Sequence, residues 1–182
     1  MSPVKLFFPD NTVLINFALI KRIDLLERLI DGQGAWSASV ASECAQSATY
    51  PGQEALHKVP AIFGEPIAPN RAELQQTVIF RYELSSPGDG SHKHVGEAET
   101  VAIIQRRFPD SRFITDDKDA ARLAARHGIV TFTTWDLLRL AVRVNFISPD
   151  LLWGYINDLR GQKRGSPPGV RDLDSFDQWL AQ

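Results

Sequence analysis

The sequence predicts an α/β protein: a three-layer α/β/α arrangement around a central, mainly parallel sheet. Two observations carry this. Short apolar runs of strand length alternate with longer runs at helical spacing, an order that favours parallel strands covered by helices on both faces. Acidic residues also stand just after the predicted strands, beyond whose carboxyl ends such sheets bind ligands.

The first element, "VKLFF", reads as a short buried strand, and "TVLINFALIKRIDLLERLI" as one or two helices with Leu14, Ala18, Leu25, Leu26 and Leu29 at helical spacing. "DGQGAW" is a glycine turn into a brief strand, and "SASVASECAQSA" a short helix with Ser37 or Ser39 as its N-cap and Glu43 within it. Breakers "YPGQ", "GEPIAPN" and "SSPGDGSHKH" surround "AELQQTVIFRYEL", which predicts a strand near Gln76–Arg81 and a mobile loop near Ser85–His94. "VGEAETVAIIQRRF" reads as a helix, "RFITDD" as a strand ending in two aspartates, and "KDAARLAARHG" as a helix capped by Gly128. "IVTFTT" is another strand and "WDLLRLAVRVNF" another helix. A helix, a basic break at Arg160 to Arg164 and a short amphipathic helix complete the chain. The expected organisation is one domain over 1–160 with a basic linker and short helix over 161–182.

With 182 residues, 43% hydrophobic and 23% charged, the chain has the size and composition of one globular domain, which excludes a disordered or fibrous chain. The single cysteine, Cys44, cannot form an intrachain disulfide, and "MSPVKLFFPD" lacks the apolar core of a signal peptide. The most apolar window, Val13 to Ile30, is broken by Asn16, Lys21, Arg22, Asp24, Glu27 and Arg28. A cytoplasmic protein with no membrane span is expected.

A net charge of −2 argues at first sight against a nucleic-acid partner. The average hides an asymmetry: residues 1–99 carry 8 Lys/Arg against 12 Asp/Glu, whereas residues 100–182 carry 12 against 10. If the acids at the strand ends are set against metal cations, the remainder is net basic.

Those acids are Asp10, Glu43, Glu97 with Glu99, and Asp116 with Asp117. Hard divalent cations such as Mg2+ or Mn2+ need several oxygen ligands, so carboxylates from separate elements are the expected composition of their sites. Each acid also has a plainer reading. Asp10 and Asp116 or Asp117 are good helix caps, and Glu43 is an ordinary solvated helix acid. Glu97 and Glu99 lie two apart, roughly 200° around a helix, so they cannot both face one site. His92 and His94 flank a glycine loop, and Cys44 is a small buried residue. Arg106, Arg107, Arg112, Arg122, Arg126, Arg139, Arg143, Lys163 and Arg164 form either a phosphate-facing rim or solvated helix faces.

The motifs "PDNTVLINF", "SVASECA", "GEAETVAII" and "FITDDKDAARLAARHGIVTFTTWDLLRLAV", in this order over roughly residues 4–160, resemble the PIN-domain nucleases. That family includes the VapC toxins and a branch with "GEAEA" and "DD" motifs. The resemblance implies a PIN-like fold and an Mg2+- or Mn2+-dependent endoribonuclease, of the kind that serves as the toxin of a toxin–antitoxin pair. RNA would be its substrate, an antitoxin protein its partner and a homodimer its assembly. Carried over by motif, Asp10 is the first acid with Thr12 supporting it, Glu43 the second and Glu99 the third. The fourth is Asp117, with Asp116 open as a further ligand. Pro9 departs from the family pattern by stiffening the approach to Asp10, and the stretch between Ala48 and His94 is long. A catalytically inactive PIN-like binding module is the alternative. A haloacid-dehalogenase-like phosphatase is disfavoured, because Thr12 stands where its second acid belongs.

Overall fold

The computed structural model describes residues 5–90 and 92–182. Val4 of the expected first strand and Ser91 of the expected loop lie outside the described residues. Strands β1 (Phe7–Pro9), β2 (Arg112–Ile114) and β3 (Val130–Phe132) form a parallel sheet in the order β1-β2-β3. In its register Phe8 lies beside Phe113 and Phe113 beside Thr131. The expected strand at "GAW" shrinks to a parallel bridge between Phe7 and Gly34, continued outward by a second between Ser37 and Ile67.

Side-chain alternation along these strands produces the three layers. Phe8 and Phe113 enter one core with Phe80, Val101, Ile104 and Leu123, while Ile114 enters the other with Leu14, Phe17, Leu26 and Leu138. The second face carries α1 (Asn11–Leu19), α2 (Ile23–Ile30), α3 (Ala38–Ser47), α8 (Thr134–Arg143) and α9 (Pro149–Gly161). The short α4 (Val59–Phe63) also packs there. The first face carries α5 (Arg71–Leu84), α6 (Val95–Arg107) and α7 (Lys118–Arg126). The C-terminal α10 (Leu173–Leu180) adds Phe176 and Trp179 to the larger core, joined by Val170 from the preceding segment. No helix among the described residues is long and apolar enough to cross a membrane.

The strand expected near Gln76–Arg81 is instead part of the helix α5. Its apolar run "VIF" suggested a strand, but Asn70 and Glu73 close a capping box that fixes a helix start. Only Glu73, Thr77, Phe80 and Leu84 of α5 face inward, at helical spacing. Glu73 is fully buried and holds Arg107 at the end of α6 through two bonds of 2.7 and 2.8 Å. That bidentate pair locks α5 onto α6. The opposite side of α5 leaves Leu74, Val78, Ile79 and Tyr82 exposed at 50, 70, 53 and 84%.

Pro9 does not interrupt the sheet. The Asp10 N–H donates to the Ile114 carbonyl at 2.8 Å, and Phe7 pairs on the other edge with Gln33 and Ala35. Alternation puts the Pro9 nitrogen on that outer edge, past the end of the bridge, where the missing N–H costs no ladder bond.

Phe113, fully buried at the centre of the sheet, carries the packing of the α6 and α7 layer. Phe113→Ala is expected to destabilise by about 3–5 kcal/mol, visible as a fall in melting temperature of about 2–4 °C per kcal/mol.

Candidate metal centre

Asp10 ends β1 and begins α1, and it meets both readings of its sequence position. Its Oδ1 accepts from the Thr12 N–H at 3.3 Å as an N-cap, and its Oδ2 accepts from the Thr115 hydroxyl at 3.3 Å. The carboxyl is 2% exposed. Burial, with the charges of Glu97 and Glu43 nearby, pushes it up to about 8.

Glu43 extends from α3 against the start of α6. A Cβ on Gly96 would stand 2.8 and 3.0 Å from the two Glu43 carboxylate oxygens, so glycine is what leaves room for this acid. Burial and the Glu97 charge push Glu43 up to about 7, against a lowering by the Gly96 amide. On its outer side lies a cleft of about 240 Å³ lined by Ser39, Ser42, Glu43, Gln46, His92 and Val95.

The two glutamates of α6 part company as their spacing requires. Glu97 faces the acids: burial and the Asp117 charge raise its carboxyl, and the charge of Glu97 in turn raises Asp10 and Glu43. Glu99 is buried and accepts from the Ser39 N–H at 2.8 Å, in the first turn of α3. It therefore ties α6 to the α3 N-terminus, where the helix dipole favours a carboxylate.

The adjacent aspartates also divide. Asp117 caps α7 through one oxygen, Oδ1, which accepts from the Asp119 and Ala120 N–H groups at 2.7 and 2.8 Å. It comes together with His94 and Glu97, one ligand atom of each lying within 4.8 Å of the others. Asp116 is instead saturated. Its Oδ1 accepts from the Thr134 N–H at 2.8 Å, and its Oδ2 from Asn16 at 2.9 Å and the Thr134 hydroxyl at 2.5 Å. Burial raises Asp116, and these bonds with the nearby Arg164 charge oppose the rise. Arg164 reaches in from beyond α9 to Asn16 Oδ1 at 2.8 Å and the Thr12 carbonyl at 3.2 Å.

Described residues of the expected loop at Ser85–His94 make hydrogen bonds with α5 and with one another. Arg81 donates to the Lys93 and Gly90 carbonyls, each at 3.1 Å, while Asp89 accepts from Lys93 Nζ at 2.6 Å and the Ser86 N–H at 2.8 Å. His94 closes this loop in the left-handed region (φ 66°) and opens α6, with Nε2 at 3.3 Å from Asp89 and Nδ1 at 4.0 Å from Glu97. Much of the basic rim is engaged elsewhere: Arg107 with Glu73, Arg126 with Glu83, Arg122 with Asp119 and Arg139 with Asp136.

Acids gathered beyond the carboxyl ends of a parallel sheet define the class: an α/β domain of the nuclease type. A family model described as a PIN domain matches residues 7–164, and the chain belongs to that family. PIN domains are generally nucleases and use divalent metals. No curated protein matches the chain. The residues fit such an ion: buried carboxylates raise one another, among the described residues neither Asp10 nor Glu43 has a salt-bridge partner, and Gly96 leaves a cradle that a Cβ would fill. Sequence reasoning missed Gly96 and Asn16. The signal for Gly96 was the glycine at a helix start; nothing in the sequence marked Asn16.

The metal-free chain should show this in two ways. The folded Asp10 carboxyl, near 8, keeps a proton that an unfolded one, near 3.8, gives up, so stability falls as pH rises between those values. Asp10→Asn keeps the cap; it is expected to flatten that slope and to raise the melting temperature at about pH 8 by several degrees. Gly96→Ala would gain about 1 kcal/mol of helix propensity but displaces Glu43, so calorimetric titration should show weakened divalent-cation binding without loss of fold.

Proposed function

We propose that the protein is an Mg2+- or Mn2+-dependent endoribonuclease of the cytoplasm, acting as the toxin of a toxin–antitoxin pair. The observation that carries this is a set of acids close enough to act on one another: Glu97 and Glu43 raise Asp10, Glu97 raises Glu43 and Asp117 raises Glu97, with Asp10 held at 2% exposure. Such an arrangement is unfavourable on its own and is relieved by a cation. Asp10, Glu43, Glu97 and Asp117 would hold the ion, with Glu97 taking the role that the motif match gave to Glu99. A divalent cation there supplies Lewis acidity for activating water and stabilising a pentavalent phosphate.

The chain's own groups do the rest. Thr12 and Thr115 orient the two oxygens of Asp10, and the α7 cap leaves the second oxygen of Asp117 free of those bonds. Glu99 positions α3, and with it Glu43. Asp116 serves as a positioning residue that couples Asn16, Thr134 and Arg164 to the end of β2. Arg164 gives the edge a cation suited to an incoming phosphate. The exposed apolar stripe Leu74, Val78 and Tyr82 on α5 supports a homodimer or antitoxin contact.

Asp10→Asn and Glu97→Gln should each lower Mn2+-dependent cleavage of a single-stranded RNA by about 100-fold or more, with circular dichroism unchanged. Glu99→Gln still accepts from Ser39 and should retain most activity. Full activity in Glu97→Gln together with loss in Glu99→Gln would return the ligand role to Glu99. A purified chain that binds neither Mg2+ nor Mn2+ would instead be a binding module.

A further inference from the structure

His94 belongs to no motif that the nuclease reading uses, yet both of its ring nitrogens have defined surroundings. Nε2 lies 3.3 Å from Asp89 Oδ2 and Nδ1 lies 4.0 Å from Glu97 Oε1, with the His94 and Asp89 side chains only 11 and 13% exposed. A ligand atom of His94 shares the 4.8 Å cluster with Glu97 and Asp117. With Nε2 set against Asp89, Nδ1 is the ring nitrogen turned towards Glu97. Metal-binding histidines commonly hold their second nitrogen against a carboxylate in this way, which fixes tautomer and ring orientation. Asp89 is itself anchored by Lys93 Nζ and the Ser86 N–H. A solvated surface histidine requires none of this.

We propose that His94 is a nitrogen ligand of the cation held at the acid edge, oriented by Asp89, and that the site therefore selects Mn2+ over Mg2+. The inference rests on the metal-dependent reading of the acid edge. Magnesium takes oxygen ligands and sheds water reluctantly, whereas imidazole suits transition ions. A lone nitrogen donor among carboxylates shifts preference in that direction.

The test is electron spin-echo envelope modulation on the full chain loaded with Mn2+, with and without 15N-labelled histidine. The expected result is an imidazole nitrogen coupling that changes with the label, is lost in His94→Asn and persists in His92→Ala. Asparagine tolerates the left-handed backbone at position 94. Titration should show Mn2+ affinity falling about 10-fold or more in His94→Asn, by a similar order in Asp89→Asn, and Mg2+ affinity changing far less. Mn2+ bound with no histidine nitrogen coupling in the labelled wild-type chain overturns the His94 assignment and leaves the carboxylate site standing. No Mn2+ binding at all overturns both. If His94→Asn fails to fold, persistence of the coupling in His92→Ala supports the His94 assignment and its loss there overturns it.

Discussion

One main-chain hydrogen bond anchors the arrangement: Asp10 N–H to Ile114 carbonyl, 2.8 Å. It is the last bond of the β1–β2 ladder, made by the residue that follows Pro9, the partner of Ile114. Through it the acid that ends the first strand sits beside Thr115, 105 residues further along the chain. The turn leaving each strand then places the rest of the edge. Two helices begin on the aspartates themselves, α1 on Asp10 and α7 on Asp117, so capping geometry and site geometry are one constraint. A capped aspartate cannot turn away without unravelling the first turn of its helix.

The electrostatic balance of this edge separates acids that support from acids that face one another. Asp116 is surrounded by donors from Thr134 and Asn16, and Glu99 accepts from the amide of Ser39. Asp10 also accepts two bonds, yet burial and the charges of Glu97 and Glu43 raise it, while Glu43 is raised by burial and by the charges of Glu97 and Glu99. Local destabilisation of this kind is common where a protein keeps a binding function at the expense of stability.

Much of this was legible in the sequence, and the exceptions have physical causes. Alternating strand and helix patterns gave the layers, and Asp10 was marked by standing alone between apolar elements. The α5 segment misled because Val78, Ile79 and Phe80 are a strand-like trio, yet only Phe80 of them is buried; the capping box outweighed local β propensity. Spacing alone leaves open which of Glu97 and Glu99 lies near the other acids, because that depends on the rotation of α6 against α3. Asp116 and Asp117 differ only in which helix claims them, since Thr134 takes one and the α7 cap the other. Gly96 was hidden for a different reason: its role is an absent side chain, and its partner Glu43 lies in another helix.

The reach of Arg164 back to Asn16 and Thr12 has a consequence for how the molecule comes into being. During synthesis the chain emerges at about 5–20 residues per second, amino-terminal portion first. Asn16 emerges 100 residues before Asp116, and the guanidinium that balances Asp116 follows 148 residues after Asn16. Until Arg164 has emerged, the nascent protein therefore lacks a finished acid edge.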